Sequence, residues 1–329
     1  MGFKDIIGQE TAKKILQSQI ESNRVGTSYI FYGPEGVGKT LTASTFAKAV
    51  NCEGNRIDSC DKCKSCIEID KRLDLKRLDL RLKNPDFWFI TTEAGKNSIG
   101  IDQIKNIKVH TSYHTAELRH RFIIIKKADA LTEEAANAFL KTLEEAPHNT
   151  TFILTTTKIN AIIPTVKSRC HQIQFRRLKP AEIEKLVPAA TKLVLELANG
   201  SVTQARKYMD PNINEIRNKA IEFLNNPPLH RVKIIAKLEE EVRPQEVRPQ
   251  EVRPQIEEFL LFLQELYMDL LRITIGVGEL IKNKDFEFKK RLQVLDILKA
   301  ITICDKAFYS VSHNVHKKLI TYWLAKELP

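Results

Sequence analysis

A glycine-rich segment, GPEGVGKT at residues 33–40, matches the pattern G-x-x-x-x-G-K-[ST] of a phosphate-binding loop. An apolar run, Ser28–Tyr32, precedes it, and residues 39–50 after it predict a helix, which is the context that this pattern requires. The residues expected to contact ATP and Mg²⁺ are Gly33, Gly36, Gly38, Lys39 and Thr40. Glycines let backbone N–H groups turn toward phosphates, the lysine reaches the β- and γ-phosphates, and the threonine binds Mg²⁺. A glycine-rich turn without a ligand is the alternative.

Nucleotide hydrolysis by such a loop also requires acidic residues, one for Mg²⁺ and usually one to activate water. They normally follow a later apolar strand, and here the apolar run 121–125 is followed by Lys126 and Lys127. A charged lysine neither binds Mg²⁺ nor acts as the base. Asp129 lies two residues further on, so we expect it to point elsewhere. The sequence therefore predicts that this chain does not hydrolyse ATP, unless the strand ends later or Asp129 compensates.

Four cysteines lie close together with the spacing C-x7-C-x2-C-x2-C. In a cytosolic chain such clusters bind metal more often than they form disulfides. Four thiolates suit tetrahedral Zn²⁺ and leave no open coordination position, which indicates a structural rather than a catalytic zinc. The expected ligands are Cys52, Cys60, Cys63 and Cys66, whereas Cys170 and Cys304 are isolated and predicted to have no special role.

The first half of the chain alternates short β-type runs with helical patterns, which favours an α/β fold with a parallel sheet. The predicted strands are 28–32, 87–91, 122–125, 151–155 and 171–175, and the predicted helices between them are 39–50, 102–111 and 133–145. We expect a first domain at 1–178, a small helical unit at 179–211 and an all-helical domain at 212–329. Two short repeats interrupt this plan, KRLDL twice at 71–80 and EVRPQ three times at 241–255. Because proline disrupts helices, we expect the second repeat to be a solvated loop; a partner-binding segment is the alternative.

Composition excludes some classes of protein. Charged residues make up 28% of the 329 residues, and we found no run of about 18 uncharged apolar residues, so a membrane span is not expected. The N-terminal residues lack the apolar core of a secretory signal, which predicts a cytoplasmic location. The net charge of +11 fits an anionic partner such as nucleic acid, or else a generally lysine-rich proteome.

Two further signatures follow the phosphate loop and the cysteine cluster: NAFLKTLEEAP at 137–147, and Ser168-Arg169-Cys170. Together, in this order, they resemble the clamp-loader subunits of bacterial DNA polymerase III, which are AAA+ proteins, over about residues 3–206. The resemblance implies a zinc insert, a helical lid and a C-terminal helical collar. It also implies a heteropentameric ring with gamma/tau and delta subunits that loads the sliding clamp onto primed DNA, with direct contact between this chain and primer-template DNA left open. In that family the arginine corresponding to Arg169 is an arginine finger, which reaches the ATP site of the neighbouring subunit.

Within the family, two departures resemble the delta-prime type rather than the hydrolysing gamma/tau type. The gamma/tau type has an Asp-Glu pair where this chain has Lys126 and Lys127, and a nucleotide-sensing arginine in the segment that is Gly200-Ser201-Val202-Thr203 here. The pair Thr156-Thr157 lies where the family has another nucleotide sensor, and Thr157 is predicted to contact the nucleotide. The alternatives are a gamma/tau-type ATPase and an independent enzyme such as a branch-migration helicase. No polymerase activity is expected of this chain, because nothing in it resembles the carboxylate constellation of nucleotidyl transfer. A polymerase label would belong to the holoenzyme.

Overall fold

The computed structural model describes residues 1–54, 57–73, 86–93, 96–111, 118–240, 249–288, 291–312 and 317–329. The chain divides into two compact units. The first comprises Met1–Leu186 and Gly200–Thr203, and the second comprises Val187–Asn199 and Gln204–Pro329. The division into three domains, with a separate lid at 179–211, stays a prediction.

The first unit contains a parallel five-stranded sheet with the order β2-β3-β4-β1-β5. The strands are β1 (Ser28–Tyr32), β2 (Phe87–Ile90), β3 (Arg121–Ile125), β4 (Thr150–Thr156) and β5 (His171–Gln174). The three central strands are buried along almost their whole length, as expected for a parallel sheet that is covered on both faces. The predicted α/β fold with five strands is therefore confirmed.

Helices cover both faces of this sheet. They are α1 (Glu10–Glu21), α2 (Lys39–Asn51), α3 (Lys64–Leu73), α4 (Ile101–Thr111), α5 (Glu133–Glu144), α6 (Pro164–Lys167) and α7 (Pro180–Leu186). Helices α1 and α2 share one apolar cluster with alternate residues of the strands, and α4 and α5 share a second cluster with the intervening residues. The side chain of Thr132 accepts a hydrogen bond from Ala135 N (3.1 Å) and so caps the N-terminus of α5.

The described residues of the second unit form helices joined by turns and loops. Its helices are α8 (Lys192–Leu197), α9 (Val202–Tyr208, from Gln204 onward), α10 (Pro211–Asn225), α11 (Pro228–Glu240), α12 (Pro249–Thr274), α13 (Val294–Ser312) and α14 (Lys317–Glu327). One face of α12 fills the core of this unit: Ile256, Phe259, Leu260, Leu263, Leu266 and Leu270 are all buried there. These residues pack against the other helices of the same unit. Among the described residues, no helix is both long and apolar enough to cross a membrane.

The prediction of a loop at the EVRPQ repeat is wrong for its last copy. Helix α12 begins at Pro249 and therefore includes residues 251–255, while 241–248 lie outside the described residues. Proline is tolerated at the first helical position, where its missing N–H has no partner in any case. Pro254 removes one further backbone hydrogen bond close to the helix start, while the apolar face from Ile256 onward is buried in the core. The KRLDL repeat begins in α3, and residues 74–80 lie outside the described residues.

Candidate functional site

The phosphate loop leaves the carboxyl end of β1, in the centre of the sheet. Gly33 N donates to Thr156 O on the neighbouring strand β4 (3.2 Å), which fixes the start of the loop. Gly33 has a φ of 146°, and a Cβ atom there would lie 2.1 Å from Phe175 O. Only glycine fits this position, because both the positive φ and the close approach of Phe175 O require a residue without a Cβ atom.

The loop ends at Gly38, which caps α2 with a φ of 96°. Backbone N–H groups of the first turn of α2 have no intrahelical partner and carry the positive end of the helix dipole, an arrangement that favours anions. The Lys39 ammonium donates to Gly33 O (2.7 Å) and Pro34 O (2.5 Å), so it lies over the loop. Burial lowers the pKa of Lys39 to about 8, although the carboxylates of Glu35 and Asp129 act in the opposite direction. A phosphate placed here would stabilise the charged form of Lys39.

Asp129 faces the phosphate loop, and the prediction that it would point elsewhere is wrong. Its carboxylate accepts a hydrogen bond from Thr156 Oγ1 (2.6 Å), at the end of β4, and its charge raises the pKa of Lys39. A short 3₁₀ turn over Ala128–Ala130, after Lys127 in the left-handed region (φ 52°), reverses the chain and brings Asp129 back toward β4. The alternative that Asp129 compensates for the missing acids therefore gains support from this geometry.

The two lysines after β3 lie in different surroundings. Lys126 N extends the ladder by donating to Ile90 O (2.8 Å), and its ammonium lies 4.4 Å from the centre of the Phe89 ring on β2. Burial lowers the pKa of Lys126. Lys127 is exposed. At the position where a hydrolysing enzyme has its first acid, this chain thus has a cation that contacts an aromatic ring.

Sequence reasoning missed several residues that contact the loop. Gln9 is buried and joins the phosphate loop to the segment after β5: its Nε2 donates to Val37 O (3.3 Å) and to Arg176 O (2.7 Å), and its Oε1 accepts from Arg176 N (3.0 Å). Gln9 has a φ of 57° and follows Gly8. This Gly-Gln pair just before α1 was the one sequence feature that could have drawn attention to Gln9. The segment Gly200–Thr203 also contacts the loop, since Val202 N donates to Gly36 O (3.0 Å).

Of the two predicted sensor threonines, Thr156 is the one that bonds to Asp129 and lies next to the loop. The side chain of Thr157 is exposed one residue beyond β4. Its contact with a nucleotide stays a prediction.

The four predicted cysteine ligands converge. The Sγ atoms of Cys52, Cys60, Cys63 and Cys66 all lie within 4.8 Å of one another. Four Zn–S bonds of about 2.3 Å would space the sulfurs by roughly 3.8 Å, so this set fits a tetrahedral ion after small side-chain adjustments. Cys60 N donates to Cys52 Sγ, and Cys63 N donates to Cys60 Sγ, each at 3.3 Å. Backbone hydrogen bonds lower the pKa of the Cys60 thiol to about 6, whereas burial raises the pKa of Cys66. These residues could bind a metal ion.

The cysteine cluster is joined to the helix that follows the phosphate loop. Cys52 is the C-cap of α2, and Lys48, on the last turns of the same helix, is fully buried. The Lys48 ammonium pairs with Asp61 (2.5 Å), between two of the cysteines, and with Asp70 on α3 (2.7 Å). These ion pairs hold the cysteine loop and α3 against α2. Hydrogen bonds from Lys48, the N-terminal ammonium and Ser59 together hold the pKa of Asp61 well below its usual range, against the effect of burial.

Arg169, the predicted arginine finger, lies between α6 and β5 with 40% of its side chain exposed. Its guanidinium donates through Nε (2.9 Å) and Nη2 (2.6 Å) to Glu144 Oε1, and through Nη1 to Thr165 O (3.0 Å). The backbone carbonyl of Arg169 accepts from the buried Ser28 hydroxyl at the start of β1 (2.6 Å). Arg169 is therefore oriented and accessible, and the residues that hold it lie on β1, α5 and α6.

A family model described as "DNA polymerase III, delta subunit" matches residues 8–179, just over half of the chain. The chain belongs to this family. Among curated relatives, the tau subunit of DNA polymerase III from Bacillus subtilis is 31% identical over 225 residues, covering 64% of this chain and 38% of the tau subunit. The tau subunit from Escherichia coli is 28% identical over 226 residues, covering 64% of this chain and 33% of that protein. The chain thus spans about a third of the length of these relatives.

Solved structures support the same fold. A DNA polymerase III gamma subunit-related protein from Thermotoga maritima has a TM-score of 0.51 at 17% identity, covering 96% of this chain and 99% of that one. At this identity the likeness establishes the architecture and leaves the function to the residues of the site. The described phosphate loop, cysteine cluster and Arg169 all lie inside the matched region 8–179 of the family.

Proposed function

We propose that this chain is a delta-prime-type subunit of a DNA polymerase III clamp loader. In this proposal it joins gamma/tau and delta subunits in a heteropentameric ring that loads the sliding clamp onto primed DNA in the cytoplasm. Its own contribution is to assemble the ring and to supply Arg169 to a neighbour's ATP site. Membership of the family supports the clamp-loader assignment, and the residues below support the choice of subunit type.

The observation that carries this choice is the end of β3. The strand is followed by Lys126, whose ammonium contacts the Phe89 ring, and by the exposed Lys127, where a Mg²⁺-binding acid and a base are required for hydrolysis. A second departure supports it, because Gly200–Thr203 contacts the phosphate loop but contains no arginine that could sense the γ-phosphate. A chain with a phosphate loop but without these groups is suited to bind nucleotide without turning it over.

The exposed guanidinium of Arg169 supports the role of arginine finger. A planar cation with several fixed N–H donors matches phosphate oxygens and neutralises the charge that develops during phosphoryl transfer. Since Arg169 is held at the surface by bonds to Glu144 and Thr165, it is available to the ATP site of an adjacent subunit. The effect of Arg169 would be measured as the rate of ATP hydrolysis by the neighbouring subunit.

The phosphate loop and the cysteine cluster support two bound groups, ATP with Mg²⁺ and a structural Zn²⁺. For the nucleotide, Lys39 and the first turn of α2 would contact the phosphates and the Thr40 hydroxyl would bind Mg²⁺. For the metal, the four cysteine sulfurs would fill the coordination sphere, which leaves no position for substrate and suits a structural ion.

A second candidate function is an ATP-hydrolysing motor of the gamma/tau type. The contact between Asp129 and Thr156 favours it, because it places one carboxylate beside the phosphate loop after all. In this alternative Asp129 would take the role of the acid that Lys126 and Lys127 cannot fill.

Steady-state ATP hydrolysis separates the two. The purified chain would be assayed alone, and in a mixture with gamma/tau and delta subunits, clamp and primed DNA. We expect no ATP turnover by the chain alone and clear turnover by the mixture. Arg169→Ala should lower turnover at the ATP site that it serves by at least about a hundredfold, since arginine fingers contribute roughly 10³-fold or more. Turnover by the chain alone that disappears with Lys39→Ala and with Asp129→Asn would instead establish the motor.

A further inference from the structure

We propose that Glu144 is a positioning residue for Arg169: its carboxylate orients the guanidinium for an anion presented by another subunit. This inference rests on the proposed role of Arg169 as an arginine finger. One oxygen of Glu144 accepts from both Nε and Nη2 of Arg169, at 2.9 and 2.6 Å, while Thr165 O fixes Nη1 at 3.0 Å. The guanidinium plane is thus held from two sides.

The position of Glu144 on its helix is unfavourable by local rules. Glu144 is the last residue of α5 and Glu145 is its C-cap, so two acids lie at the negative end of the helix dipole. Acids there destabilise a helix, and sequences normally place basic residues in the last turn. A residue that is unfavourable for its own helix is often found where its side chain serves a functional site. The guanidinium of Arg169 compensates for the Glu144 charge across the gap between α5 and α6.

The backbones that carry the two side chains are fixed relative to each other. Phe139 and Leu143 on α5 and Val166 on α6 belong to one buried apolar cluster. The carbonyl of Arg169 is also anchored by the Ser28 hydroxyl on β1. The pair therefore lies on rigid elements, as a group must if it is to hold another within a fraction of an ångström of a productive position.

The pair leaves Arg169 able to bind. A guanidinium has five N–H donors, and the contacts with Glu144 and Thr165 use three, which leaves one on each terminal nitrogen for phosphate oxygens. The exposed fractions of the two side chains, 40% for Arg169 and 52% for Glu144, allow a partner to approach. A pre-oriented arginine loses less rotamer freedom on engagement than a mobile one, so removal of Glu144 lowers the rate of the step that Arg169 assists.

The test uses the assembled clamp-loader mixture with clamp and primed DNA, with Glu144→Ala, Glu144→Gln, Arg169→Ala and the double variant Glu144→Ala/Arg169→Ala. We expect Glu144→Ala to lower the kcat of the ATP site that Arg169 serves roughly tenfold or more with an unchanged KM, since misplacement by about an ångström costs up to a hundredfold. Glu144→Gln keeps an acceptor and loses only about threefold. The double variant is no slower than Arg169→Ala, because both changes act through one guanidinium.

Glu134→Ala, at an exposed acid in the first turn of α5, is the matched control and leaves kcat unchanged. Melting temperatures of all variants separate a folding defect from lost positioning. If Arg169→Ala has no effect, the arginine-finger role fails and this inference fails with it. If Arg169→Ala slows the ring but Glu144→Ala leaves it unchanged or faster, or if the two losses multiply, only the positioning role of Glu144 is overturned.

Discussion

Replacing Lys39 by methionine should stabilise the nucleotide-free chain while removing its ability to bind nucleotide. Lys39 is 9% exposed, and its ammonium is held by the carbonyl oxygens of Gly33 and Pro34. Methionine has a similar length and no charge, so Lys39→Met removes the cost of burying a cation and keeps the packing.

The size of the effect follows from the pKa of Lys39, which burial lowers from 10.5 to about 8. One pH unit corresponds to about 1.4 kcal/mol, so the charged form at pH 7 is disfavoured by roughly 3 kcal/mol in the folded chain. The lost hydrogen bonds offset part of this gain. We expect a net increase of about 1–3 kcal/mol in the free energy of unfolding, or roughly 3–10 °C in the melting temperature of the first unit.

The pH dependence gives an independent measurement. Between pH 8 and 10.5 the unfolded chain binds a proton at Lys39 that the folded chain has lost, so the contribution of this residue to stability rises with pH across that window. Urea unfolding of both proteins at pH 7, 8, 9 and 10 should show the advantage of Lys39→Met shrinking as the pH rises. Binding of a fluorescent ATP analogue, measured in parallel, should be lost in the variant.

Lys105→Met, at an exposed lysine on α4, is the matched control and should change neither stability nor binding. The reasoning would be refuted if Lys39→Met melted below the wild type at pH 7, or if the difference between the two proteins were the same at every pH.

Three other changes test the remaining parts of the first unit. Lys48→Met should lower the free energy of unfolding by about 1–3 kcal/mol in urea titrations, because it removes two ion pairs of a fully buried lysine whose acidic partners are partly exposed. The same variant should lose the part of the stability contributed by Asp61 above about pH 4 that depends on Lys48, while the N-terminal ammonium and Ser59 keep the rest. Wild type and variant should therefore draw closer as the pH falls below about 4, and parallel curves down to pH 3 would contradict this. Cys63→Ser should abolish stoichiometric zinc measured by atomic absorption and lower the melting temperature, and an unchanged zinc content would exclude the four-cysteine site. Gly33→Ala should destabilise the first unit by several kcal/mol, because its Cβ would lie 2.1 Å from Phe175 O at a φ of 146°; a melting temperature within about 2 °C of wild type would contradict this.

The chemistry-bearing segments could be predicted from the sequence because each is local. The phosphate loop depends on glycines and one lysine within eight consecutive residues, and the cysteine cluster spans residues 52–66. The five strands were predicted to within about a residue or two, since buried parallel strands are short apolar runs with clear ends. The helical character of the second unit was predicted from the absence of β-type runs after residue 180. The EVRPQ repeat was misjudged because the cost of a proline depends on its position in the helix, which α12 determines through its packing.

Contacts between distant residues were decided only by the tertiary structure. Thr156 and Asp129 are 27 residues apart, Arg169 and Glu144 are 25 apart, and Gln9 and Arg176 are 167 apart. The sequence contains each of these residue types, but the sheet order and the turn after β3 determine which of them meet. Helices, strands and short motifs such as the phosphate loop can be predicted from local sequence patterns, because their stability depends largely on residues close together in the chain. The orientation of Asp129 toward the phosphate loop and of Arg169 toward solvent depends instead on how strands distant in sequence pair in one sheet.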